Sequence, residues 1–244
     1  MMENASLGPM NVTPGFTPVN DPKAVEFVQH LTLDTQLDAM LGNPAHFATD
    51  SDVNGGIVNV RGAARTSADK LKGITGDLTV TEPVRHEYAS KVANGLVATA
   101  EATHGILLSR SKDYMAAAEN IFGDRFKPNP AREGFYLRAA DWMKDEAKNQ
   151  NGGYANIREA VTDDPDFAVA MYNYSWRLLG LPEKDALMFK ERAVEKFAPD
   201  ALAHIETSHQ LEKLAKRYPG FIAKVHSSFY SPLELAKLRT RFTL

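Results

Sequence analysis

A chain of 244 residues with 28 Lys and Arg against 31 Asp and Glu carries a net charge of −3. Its cations are scattered without a basic stripe, which excludes the phosphate-neutralising surface that nucleic-acid binding needs. The absence of cysteine excludes disulfides, thiolate metal ligands and thiol nucleophiles, and a chain of this length buries roughly 70–75% of its unfolded surface without needing any of them.

Residues 1–20, MMENASLGPMNVTPGFTPVN, are rich in Asn, Thr, Pro and Gly and read as an extended or disordered arm, dispensable for folding yet required for assembly or export. They lack the basic and apolar regions of a secretory signal, and no apolar run further on reaches the length of about 18 residues that spans a membrane. Four helix starts then place a capping residue before a proline, where the missing N–H costs nothing: Asp21-Pro22, Asn129-Pro130, Asp164-Pro165 and Ser231-Pro232. Ser231 with Glu234 forms a capping-box pattern.

The spacing of apolar residues predicts helices over 22–41, 64–73, 83–111, 113–121, 130–149, 154–162, 165–179, 183–197, 199–217 and 232–241. Gly180-Leu181-Pro182 and Pro219-Gly220 read as stops. The segment GGIVNVRG, with Ile57, Val58 and Val60 between glycines, is the one strand candidate, and one short strand makes no sheet. The expected class is all-α: a long central helix with an N-terminal extended arm, followed by a helical bundle. The expected division is an arm over 1–20, a rod-like helical assembly module over 21–112 and a bundle over 113–244. Phe135, Trp142, Phe167, Met171, Tyr174, Trp176, Leu178, Leu187, Phe197 and Leu214 are the expected bundle core, several of them on one helical stripe.

DSDVNGG resembles the opening of a calcium loop, with Asp50, Asp52, Asn54 and Gly55 in place, but its twelfth position is Arg61, a cation where the ion needs a carboxylate. A polar turn with Asn-Gly at positive φ is the expectation instead. His204 and His209 are five apart, which turns their rings about 140° from each other on a helix and prevents joint chelation. No G-x-S-x-G, G-x-G-x-x-G or Walker loop occurs, so no catalytic, cofactor or metal site is assigned.

The 83–111 helix is unusual. Ala89, Ala93, Leu96, Ala100, Thr103 and Leu107 follow a 4-3-4-3-4 spacing, a seam of mostly small residues expected to form an assembly interface. Val84, Tyr88, Val92, Gly95, Thr99, Ala102 and Ile106 make a second apolar or small face, and a monomer needs only one such stripe.

The span from about Asp21 to Ser111 resembles the inner-rod protein of bacterial type III secretion systems. The likeness is carried by AVEFVQHLTLDTQ (24–36), RTSADKLKGITGDL (65–78) and the closing Leu107-Leu108-Ser109-Arg110-Ser111, after which the chain continues where family members stop. The resemblance implies synthesis in the cytoplasm, export without a cleaved signal, and packing inside an envelope-spanning channel that anchors a needle and passes substrates. The expected function is thus a non-enzymatic structural subunit, a homo-oligomer or a partner of other structural proteins. An internal or connector protein of a virus or phage particle fits the same features, and a cytoplasmic helical enzyme or regulator is the further alternative.

Overall fold

The computed structural model describes residues 15–240, the last three as helical backbone. Every regular element among them is helical, so the chain is all-α. In chain order the helices are α1 (Pro22–His30), α2 (Asp34–Leu41), α3 (Ser51–Gly76), α4 (Glu82–Arg125), α5 (Glu133–Glu146), α6 (Gly153–Asp163), α7 (Pro165–Asn173), α8 (Glu183–Phe197), α9 (Pro199–Ala215), α10 (Tyr218–Phe229) and α11 (Pro232–Thr240), with 3-10 turns at Pro44–Phe47 and Pro130–Arg132.

The chain forms two compact units. The first holds residues up to Ser109 together with those from Leu211 onward; the second is Arg110–Gln210. The expected bundle over 113–244 is therefore corrected, because α10 and α11 belong with the N-terminal helices. Both points of division fall inside helices, α4 and α9.

In the first unit, α10 is a central element. Phe27 of α1 meets Phe221 with ring centroids 5.9 Å apart. The Tyr218 hydroxyl donates to the Leu41 carbonyl at 3.0 Å, and the His104 ring of α4 stacks on Tyr218 at 6.1 Å. Proline and glycine at 219 and 220 were expected to end a helix; they occupy the first turn of α10 instead, where proline is tolerated.

GGIVNVRG is also corrected. It lies within α3, where Val53, Ile57, Val60, Ala64, Ala68 and Leu71 recur at helical spacing and are all buried. The β-propensity of three residues yields to a six-residue apolar stripe. Asp50 caps this helix by accepting the Val53 N–H at 3.2 Å, and the Asn54 amide donates to the Pro44 carbonyl at 2.8 Å, so DSDVNGG is a helix start rather than a turn. Arg61, the residue at the twelfth loop position, is buried: it donates to the Gly42 carbonyl at 2.9 Å and pairs with Asp34 and Asp38 of α2. Burial works against its charge, and the two carboxylates overcome this and hold the guanidinium above its ordinary range. Gly42 sits at φ +94°, conformation that L side chains avoid, and its bare Cα faces Leu214.

Residues 1–14 of the expected arm lie outside the described residues, but the rest of it is part of the fold. Thr17 is buried, and its hydroxyl donates to the Ser228 carbonyl at 2.6 Å; the Lys72 ammonium lies 5.5 Å from the centre of the Phe16 ring. A chain beginning at Gly15 is therefore expected to be more stable than one beginning at Asp21 by about 1–3 kcal/mol, from one buried hydrogen bond and the apolar contact around it. Equal urea midpoints for the two truncations would contradict this.

The second unit is a bundle around Met143, Ile157, Val161, Met171, Leu179 and Phe189. Met171 is buried as expected, and Phe135, Trp142, Phe167, Tyr174, Trp176 and Phe197 pack against this core half-buried. The predicted stripe breaks because α7 ends at Asn173 and Tyr174 turns extended, which leaves Leu178 61% exposed; Leu187 is 54% exposed, and Leu214 is buried in the first unit. Asp164 and Asn129 cap as expected, accepting from Asp166 and Ala131, although Asn129 starts a 3-10 turn that precedes α5. The 22–41 helix divides at Leu31–Leu33, where Leu33 turns extended ahead of α2. The 83–111 and 113–121 helices are one, α4.

Candidate assembly surface

The six seam residues are interior. Ala89, Ala93, Ala100 and Leu107 have no exposed surface, and Leu96 and Thr103 are 1% and 2% exposed. The chain itself covers them, which corrects the expectation of an interface between copies. Small residues do allow close approach here, but the partner is α3. The Thr103 hydroxyl lies 3.1 Å from the Gly56 carbonyl, and a Cβ on Gly56 would come within 3.2 Å of the Thr103 methyl. A side chain at Gly56 would thus make the Thr103 methyl give way by a few tenths of an ångström.

The seam runs further than its apolar residues suggest. One step of three back from Ala89 is His86, 2% exposed, whose Nδ1 accepts the Ser231 backbone N–H at 3.0 Å. One step of four beyond Leu107 is Ser111, buried in the second unit, where the Ser208 hydroxyl donates to the Ser111 carbonyl at 2.8 Å. Polar side chains at interior positions find backbone partners, as burial demands. The sequence signal for His86 was its heptad register, which a search for apolar residues passes over. The predicted capping box loses one half for the same reason: the Ser231 N–H serves His86, and Glu234 pairs with Lys237 at 2.6 Å.

The stripe beside the seam on α4, turned about 100° from it at 3.6 residues per turn, is different. Tyr88 is 44% exposed, Gly95 and Ala102 are exposed, and Val84, Val92, Thr99 and Ile106 are half-buried. From Tyr88 to Ile106 this face repeats the 4-3-4-3-4 spacing of the seam, so it forms a second straight stripe. Gly95 and Gly105 lie mid-helix with open space where a Cβ would stand. Each costs about 0.5–1 kcal/mol of helix stability relative to alanine, and no close packing among the described residues calls for the missing side chain. Beside Gly95 runs a shallow groove of about 430 Å³ between the two antiparallel helices, lined by Ala63, Thr66, Ser67 and Lys70 of α3 and Lys91 and Val92 of α4. Lys91 reaches back to Glu87 at 2.7 Å and lies over the ring of Tyr88, the stripe residue one turn before Val92.

A second concavity, about 640 Å³, opens between α1, α2 and α10, with Ala24, Phe27 and Met40 on its floor and Lys23, Glu26, His30 and Lys224 at its rim. Among the described residues no group of three or more His, Asp and Glu could hold a metal ion. His204 packs on the Tyr114 ring at 5.5 Å while His209 is exposed, so the two histidines are separated as their spacing requires. No described helix is long and apolar enough to cross a membrane. No family model, curated protein or solved structure matches the chain.

Proposed function

We propose that this protein is a non-enzymatic structural subunit that assembles with copies of itself through the second stripe of α4: Tyr88, Val92, Gly95, Thr99, Ala102 and Ile106. The observation that carries the reading is a second heptad-spaced stripe of apolar and small residues, exposed or half-buried among the described residues, on a helix whose neighbouring stripe already holds the core. The exposed helix glycines support it, because a bare backbone lets a second helix come close. The finer form, a rod or adaptor component of a bacterial type III secretion conduit, rests on the sequence resemblance over 21–111. In that form the stripe of α4 takes the polymerising role that the seam was expected to have.

Light scattering on the full chain tests this. The expected result is a concentration-dependent rise in mass for the wild type that Ala102→Glu and Gly95→Glu both abolish with unchanged helicity. Both positions are exposed, so a buried charge arises only between copies. A wild type that stays monomeric at millimolar concentration, or variants that assemble as well as it does, would overturn the proposal.

A further inference from the structure

His86 is a buried titratable side chain to which neither the core nor the assembly surface assigns a role. It sits near the start of α4, and its Nδ1 accepts the backbone N–H of Ser231, the residue that leads into α11. That bond requires the neutral ring with its proton on Nε2, since an imidazolium carries N–H on both nitrogens and cannot accept. Among the α11 residues whose burial is described, Pro232, Leu233, Ala236 and Lys237 are exposed and Glu234 and Leu235 are half-buried.

We propose that His86 is a proton-operated latch that holds the start of α11 on α4 at neutral pH and releases it in acid. The charged groups around the ring favour two states. Glu82, one turn back on α4, and Glu234 of α11 attract an imidazolium, while Lys237 of α11 repels it and is itself held by Glu234. Arg85 is turned away, its Nε donating to the Asp77 carbonyl, and His226 near the end of α10 is engaged with the Tyr230 hydroxyl at 3.1 Å. Burial is the largest influence and pushes the His86 ring below its ordinary value of 6.5. The latched state therefore binds the proton more weakly than the open one. As pH falls below 6.5 the open state is favoured, by up to about tenfold per pH unit, until the latched ring itself protonates. Above 6.5 both states are neutral and the latch is indifferent to pH.

Hydrogen exchange of the backbone over 231–240, corrected for intrinsic rates and measured at pH 7.5 and 5.5, reads the latch. Protection is expected to fall severalfold in acid in the wild type while α3 and the body of α10 keep theirs. His86→Asn keeps an acceptor oxygen at the Nδ1 position but does not titrate, so its protection should not change with pH; His226→Asn should behave as wild type. Because His86→Asn could fail to fold, nuclear magnetic resonance on the wild type provides a second reading: the Ser231 amide should shift with the same midpoint as the His86 ring. Unchanged wild-type protection, loss of α3 protection together with α11, an undiminished acid response in His86→Asn, or different midpoints for Ser231 and His86 would each overturn the latch.

Discussion

Ala93→Glu is expected to unfold the first unit, whereas Gly95→Glu, two residues along the same helix, is expected to leave it folded. Ala93 has no exposed surface, so a carboxylate there enters the core without a partner, and such a change costs about 4 kcal/mol or more, a large part of the stability of a single domain. Gly95 is exposed with open space at its Cβ position, and any side chain there removes the glycine penalty of about 0.5–1 kcal/mol. Ala100→Glu should follow Ala93→Glu, and Ala102→Glu should follow Gly95→Glu. Circular dichroism and urea midpoints on the four variants check this, and a folded Ala93→Glu chain would show that the seam lies open.

Arg61→Ala is expected to cost about 2–3 kcal/mol. The guanidinium is buried, and it ties α3 to α2 through Asp34, Asp38 and the Gly42 carbonyl. Removing it leaves that carbonyl without its donor and takes charge-assisted bonds from both carboxylates. The figure stays below that for a wholly buried pair because the Asp34 side chain is 72% exposed and water can replace part of what it loses. Asp34→Asn should therefore cost less than 1 kcal/mol. Arg61→Lys should fall between, since an ammonium keeps the charge but cannot reach three acceptors with one planar fork. Denaturant midpoints give the order, and an Arg61→Ala midpoint equal to wild type would remove the network from the account.

Local capping chemistry was readable in the sequence because it depends on neighbours two or three residues apart: Asp21, Asn129 and Asp164 all accept the backbone N–H that their position before a proline implies. Long-range matters were not readable in the same way. Three β-formers in GGIVNVRG suggested a strand, and only the stripe from Val53 to Leu71 shows that the segment sits within one helix. Pro219-Gly220 has the composition of a stop and the position of a start, and what separates the two is Tyr218 anchoring the turn to α2. The α4 pattern shows the limit most clearly. Its two stripes were visible as spacing, but spacing is symmetric between them. What distinguishes them is contact with residues far away in sequence: Thr103 of the seam bonds to the Gly56 carbonyl of α3, and His104, outside both stripes, stacks on Tyr218.

Because the chain contains no cysteine, a single introduced thiol reports on one position alone. Cross-linking of Ala102→Cys with a short bifunctional maleimide reads assembly through α4, with Leu137→Cys, 52% exposed in the second unit, as the control. Covalent dimers or longer species that grow with concentration are expected from Ala102→Cys, and monomer from Leu137→Cys. Only monomer from Ala102→Cys, or equal cross-linking at both positions, would contradict assembly through the second stripe of α4.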